Sequence, residues 1–174
     1  MFLTIFTLTH VVLSLMGIAS GLIVMFGLLT RKRLDGWTAV FLVTTVATSA
    51  TGFGFPFVGF TPAHAIGILS LLLLTFAIAA RYPYHLAGSW RWIYVVTATL
   101  SLYLNVFVLV VQSFQKIPAL KAIAPTQSEP PFAATQLVVL VVFILLGVLA
   151  VIRFRIEPVR MARKPIDIGS IKTA

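Results

Sequence analysis

Residues 136–155 read QLVVLVVFILLGVLAVIRFR, and this stretch decides the class of the protein. From Gln136 to Ile152 no residue carries a charge, and the run stops abruptly at Arg153-Phe154-Arg155. A helix rises about 1.5 Å per residue, so a segment of this length with its flanks matches a hydrocarbon layer of roughly 30 Å. The basic stop marks where the chain meets charged headgroups and water.

The same grammar repeats upstream. An apolar stretch ends at Leu29 and is closed by Thr30-Arg31-Lys32-Arg33; counting back from that stop places a span over residues 8–29. A second span over 37–57 opens at Trp37, is rich in Thr and Ser, and loosens at Thr51-Gly52-Phe53-Gly54-Phe55-Pro56. Pro62 suits a helix start, giving a third span over 63–80 that ends at Arg81. The fourth covers 93–113, and the fifth 136–152. Between these two, Pro118, Pro125, Pro130 and Pro131 mark the longest loop, in which residues 117–124 suit a short surface-lying amphipathic piece. Residues 156–174 form a basic tail with Arg160, Arg163, Lys164 and Lys172.

Composition agrees. The chain of 174 residues is 60% hydrophobic and only 10% charged, with a mean hydropathy of +1.07. A soluble domain carries about 25% charged residues, so this surface is built for lipid. The net charge of +9 would suggest nucleic acid on a soluble protein. Here the basic residues sit at the ends of apolar segments, where they orient helices, and nucleic acid is rejected as a partner. Cysteine is absent, which excludes disulfides, thiolate catalysis and iron–sulfur clusters. The first apolar segment lacks a basic start and a small-residue cleavage site, so it reads as a retained helix.

The expected fold is therefore an all-α integral membrane bundle of five transmembrane helices. With five spans, Arg31, Lys32, Arg33, Arg81, Arg91 and the tail share one side, leaving Lys116 and Lys121 on the other. The positive-inside rule then puts the N-terminus out and the C-terminus in.

This topology brings His10, His64, Gln112 and Gln136 to one outer level on four different spans. His10, Ser14, Gly17 and Gly21 share a helix face, whose small residues allow close approach of a neighbouring helix or a flat ligand. On the fourth span Tyr94, Thr97, Ser101, Asn105 and Gln112 form a polar stripe. Such a stripe faces the bundle interior, with a hydrogen bond from Asn105 to Thr45 or Thr48 the simplest arrangement. Two histidines at one depth suggest axial ligands of haem b, or donors to the carbonyls of a quinone. A zinc site needs more ligands than two histidines and Glu129 supply. His85 reads as an interfacial residue near anionic lipid. No phosphate loop, catalytic triad or intramembrane carboxylate pair is present, which leaves acid–base enzymes and charge-coupled transporters without their machinery.

The stretches 51–56 (TGFGFP), 102–112 (LYLNVFVLVVQ) and 124–132 (APTQSEPPF) resemble segments of small bacterial polytopic inner-membrane proteins with membrane-embedded histidines. The resemblance covers most of the chain and implies a bacterial cytoplasmic membrane without implying an activity. Two functional classes follow. The first is a non-catalytic accessory or scaffold subunit of a larger membrane complex. The alternative is a redox subunit binding haem b or a quinone near the outer leaflet through His10 and His64.

Overall fold

A computed structural model describes residues 1–55, 59 and 61–154. Among the described residues there are six helices: α1 (Phe2–Leu29), α2 (Asp35–Gly52), α3 (Pro62–Arg81), α4 (Trp90–Lys116), α5 (Pro118–Ile123) and α6 (Pro130–Arg153). Among the described residues there is no strand. Helices α1, α3, α4 and α6 are long and apolar enough to cross a membrane, so the chain is a multi-pass membrane protein. Helix α2 has 18 residues, five of them Thr, and its composition is less apolar than that of the other four.

Helices α1 to α4 form a ring in which each packs on the next and α4 closes back on α1. Helix α6 lies outside the ring, against α4 and α1, with only Phe143 and Ala150 buried. Side-chain contacts fix the two ends of α2. Its first residue, Asp35, accepts a hydrogen bond from Arg81 at the end of α3, while Thr51 near its C-terminus meets His10 of α1. The bundle thus has an arginine end and a histidine end. At the arginine end Arg91 of α4 also donates to the carbonyls of Val151 and Phe154, which the final turn of α6 leaves without intrahelical partners.

The connection from α1 to α2 is short because Gly27 allows it: a Cβ there would stand 2.8 Å from Leu34 Cδ1. At the next turn of the chain, His85 and Leu86 adopt left-handed backbone angles (φ 47° and 60°). This geometry folds Leu86 into the core, where it is fully buried beside Leu74, Ala77, Ala80, Tyr94 and Val95. In lipid, apolar burial brings little hydrophobic gain, and helix association rests on close packing. Gly21 supplies it: an added Cβ would come within 2.5 Å of Leu102 Cδ1 and 2.9 Å of Phe41. The waist of the bundle lies at this level.

Element ends differ from the expected spans in instructive ways. The helix in the second segment stops at Gly52 and turns through Phe53 and Gly54, as the Gly-rich stretch demands; residues 56–58 lie outside the described residues. Helix α6 begins at Pro130, six residues before Gln136, because Pro130 and Pro131 occupy first-turn positions whose N–H groups need no intrahelical acceptor. The piece expected over 117–124 is α5, and the basic tail over 156–174 lies outside the described residues. Arg81, expected as an interfacial anchor, is buried. It is held by Asp35 and by the face of Tyr94, whose ring centroid is 5.3 Å from the guanidinium carbon.

Candidate functional site

Above the waist, toward the histidine end, α1 to α4 enclose an open cleft of about 330 Å³. His10 and Ser14 of α1 line it, with Thr48, Ser49 and Gly52 of α2, His64 and Ser70 of α3, and Asn105 and Gln112 of α4. No Asp, Glu, Lys or Arg is among its lining residues. Phe53 and Phe55, beyond the end of α2, complete the mouth. Phe55 meets the His10 ring edge-on at 5.2 Å, and Phe53 packs against His64 at 5.7 Å.

The floor is a hydrogen bond across the ring. Asn105 Nδ2 donates to Thr45 Oγ1 at 3.3 Å, which is the packing bond that the polar stripe of α4 predicts. Gly17 lets α1 reach this layer, since a Cβ there would lie 3.1 Å from Thr45 Oγ1 and 3.5 Å from Asn105 Nδ2. Six residues separate Thr45 from Thr51, so the floor lies about 9 Å below the His10–Thr51 layer.

The hydrogen-bond partners of the two histidines favour opposite tautomers. His10 Nδ1 lies 2.9 Å from Thr51 Oγ1. The Thr51 hydroxyl also lies 2.7 Å from the carbonyl oxygen of Ala47 one turn back. Two oxygens that close need a proton between them, and the hydroxyl has only one. Thr51 Oγ1 therefore donates to Ala47 and accepts from His10. The neutral His10 ring carries its proton on Nδ1 and keeps a lone pair on Nε2, which has no hydrogen-bond partner among the described residues.

At His64 the logic inverts. The backbone N–H of Thr61, an obligate donor, gives its hydrogen to His64 Nδ1 at 3.1 Å, and Thr61 Oγ1 lies 2.7 Å from the same nitrogen. His64 thus takes the place that Glu or Gln fills in a capping box at the start of α3. Its Nδ1 is an acceptor, so the neutral ring holds its proton on Nε2.

One further group stands out. Thr48 is 8% exposed, lines the cleft, and its hydroxyl has no partner among the described residues. Its neighbours on α2 behave differently: Thr44 and Thr51 return their hydroxyls to carbonyls one turn back. Ser49 donates to Ser70 at 3.0 Å and ties α2 to α3. A buried hydroxyl without a partner costs about 1–3 kcal/mol, which makes Thr48 the expensive residue of this wall.

Of the residues expected at one outer ring, His10, His64 and Gln112 do line the cleft. Gln136 does not. It lies between α6 and α4, where Nε2 donates to the Phe107 carbonyl at 3.2 Å, because α6 packs outside the ring. Thr97 and Ser101 sit below the floor and donate to Ile93 and Thr97 carbonyls on their own helix. Thr48, Thr51 and Thr61 were legible only as helix-packing or turn residues. The signal that distinguishes Thr51 is that it must meet a histidine from another helix, which no spacing within α2 reveals.

Glu129 is not among the cleft's lining residues; it stands at the start of α6. Desolvation pushes its carboxyl up, but hydrogen bonds from Thr126 and Ser128 outweigh this and hold its pKa below the ordinary carboxylate value. Among the described residues no group of three or more His, Cys, Asp or Glu is placed to hold a metal ion. No protein-family model matches the sequence, and neither curated proteins nor solved structures give a match.

Proposed function

We propose that the chain is a five-span protein of a bacterial cytoplasmic membrane, N-terminus out, that holds a lipid-soluble, quinone-class ring in the cleft at its outer end. As a fifth span, α2 has its two ends tied to the ends of α1 and α3 by the His10–Thr51 and Arg81–Asp35 contacts. The N-out orientation rests on Arg31, Lys32, Arg33, Arg81, Arg91 and Arg153, which cap helix ends opposite the cleft.

The observation that carries the ligand reading is the Thr48 hydroxyl, buried in the cleft wall and without a partner among the described residues. Helix packing among the described residues gives it no partner, and Thr48 lines the cleft. A ligand oxygen would satisfy it. The cleft has no charged lining, so it suits an uncharged ligand, and Phe53 and Phe55 offer faces and edges to a flat ring. Its volume is near the lower end of the ~300–1,000 Å³ range of small-molecule sites, which favours a single ring over a macrocycle.

The chemistry of the donor set speaks against bis-histidine haem. A metal-bound histidine donates its second ring N–H to an acceptor and offers the other nitrogen's lone pair to the metal. His10 has that form; His64, whose Nδ1 accepts from the Thr61 backbone, has the reverse. In this reading the protein is a ligand-holding subunit and not itself a catalyst.

The test is extraction. Protein purified in mild detergent should yield a stoichiometric quinone-class compound on solvent extraction, identified by mass and ultraviolet spectrum, and His10→Phe should abolish it. A preparation with a Soret band, or one free of any extractable ring that also fails to bind an added short-chain quinone or quinol, would refute the reading.

A further inference from the structure

We infer that the cleft selects the reduced, hydroxyl-bearing form of its ring, a quinol or phenol, over the quinone. This rests on the quinone-class reading above and adds the direction of the hydrogen bond at its mouth.

A quinone presents two carbonyl oxygens, which only accept. A quinol presents two hydroxyls, each able to donate and to accept. The discriminating group is His10. Its Nε2 lone pair can only accept, and the ring cannot exchange tautomers freely. Moving the proton to Nε2 would leave the Nδ1 lone pair facing Thr51 Oγ1 at 2.9 Å, while the one hydroxyl proton of Thr51 is engaged with Ala47 at 2.7 Å. Either two lone pairs would face each other, or the bond to Ala47 would have to break. The edge-on contact with Phe55, at 5.2 Å between ring centroids, packs against the His10 ring in this orientation.

The remaining groups do not reverse this preference. The Thr48 hydroxyl serves either form, since it can donate to a carbonyl or accept from a phenol. His64, with its ring proton on Nε2, does not distinguish the two forms. A quinone carbonyl turned toward His10 Nε2 would set acceptor against acceptor in a setting with little water. Sites built to bond one partner type reject the analogue lacking it far more strongly than apolar contacts do.

The experiment titrates the full-length protein, stripped of lipid-soluble ligand in detergent, with a short-chain benzoquinone and with the benzoquinol made from it by dithionite reduction. Isothermal calorimetry under argon reads both affinities. The expected result is that the benzoquinol binds about two- to threefold more tightly, since binding the benzoquinone through His10 needs only the Thr51–Ala47 back-bond to break. Thr51→Val removes the acceptor that fixes Nδ1–H, so the preference should shrink toward parity while binding persists. Nitrogen-15 chemical shifts of the wild-type histidines give an independent reading: His10 should show a protonated Nδ1 and a bare Nε2, and His64 the reverse. Equal affinities, or tighter benzoquinone binding, would overturn the inference and leave the quinone-class site standing. Binding of neither compound would overturn the site reading and this inference with it.

Discussion

Replacing Thr48 by Val should stabilise the ligand-stripped protein, whereas the same change three residues earlier, at Thr45, should destabilise it. The two side chains are close in shape, so the packing terms nearly cancel and the hydroxyl decides the sign. Thr48 is 8% exposed as a residue and its hydroxyl oxygen is buried without a partner among the described residues, so removing it recovers about 1–2 kcal/mol of the penalty for an unsatisfied buried group. At Thr45 it is fully buried and accepts from Asn105, so its loss leaves an amide donor orphaned and costs about 1–2 kcal/mol. Thr44→Val is the control. Its hydroxyl returns to the Val40 carbonyl of its own helix at 2.7 Å, and that carbonyl keeps its backbone bond, so a change within about 0.5 kcal/mol is expected. For a chain of this length each kcal/mol moves the melting temperature by roughly 2–4 °C, so Thr48→Val and Thr45→Val should separate by about 4–16 °C. Thermal unfolding in detergent, followed by circular dichroism, measures this. Adding ligand should erase the advantage of Thr48→Val, since only the wild-type hydroxyl gains a bond. If Thr48→Val destabilises the stripped protein as much as Thr45→Val, the hydroxyl has a partner and the argument from it collapses.

Gly21→Ala should destabilise the bundle by about 1–2 kcal/mol despite a better helix former, because its Cβ would overlap Leu102 and Phe41; Gly36→Ala, with open space around it, should be neutral or mildly stabilising in the same unfolding assay. Asp35→Asn should cost about 1–2 kcal/mol by leaving the buried Arg81 guanidinium without its counter-charge, a figure discounted because the Asp35 side chain is 73% exposed. Arg81→Met in the same chain should recover most of that loss. Arg91→Gln should speed hydrogen exchange of amides over the last turn of α6 by about tenfold or more, since charge-assisted bonds to the carbonyls of Val151 and Phe154 disappear; unchanged exchange would assign those contacts no weight. The folded pKa of Glu129 is depressed, so the order it confers on the turn at Thr126–Ser128 is complete above the ordinary carboxylate pKa and fades as pH falls through the lowered value. A pH titration of the Thr126 and Ser128 amide resonances, with Glu129→Gln showing no transition, checks the sign.

Much of the helix plan was legible because its signals are local. Runs closed by Arg153-Phe154-Arg155 or Arg31-Lys32-Arg33 declare their own length, and Pro62 declares a start. The Asn105–Thr45 bond was legible too, because a mid-membrane amide needs a partner and the neighbouring helix offered mostly threonines. What escaped reading depends on which helix stands beside which. Gln136 was expected at the depth of His10, but α6 lies outside the ring and its amide serves α4 instead. His64 looked like half of a ligand pair; its use as a helix cap depends on the backbone at Thr61. Arg81 read as an anchor because its counter-charge, Asp35, lies 46 residues away.

The composition of α2 bears on how the protein is made. A segment whose hydroxyls turn back on its own carbonyls is tolerable in lipid, yet it has less drive to leave a translocation channel than its neighbours. In the five-span arrangement it would enter as the second arm of a hairpin with α1 and wait there until α3 arrives with Arg81, the residue that grips Asp35. Chains truncated before residue 81 should therefore leave this arm exposed to quality-control proteases. In that arrangement, synthesis beyond residue 81 would fasten it through the Arg81–Asp35 clasp.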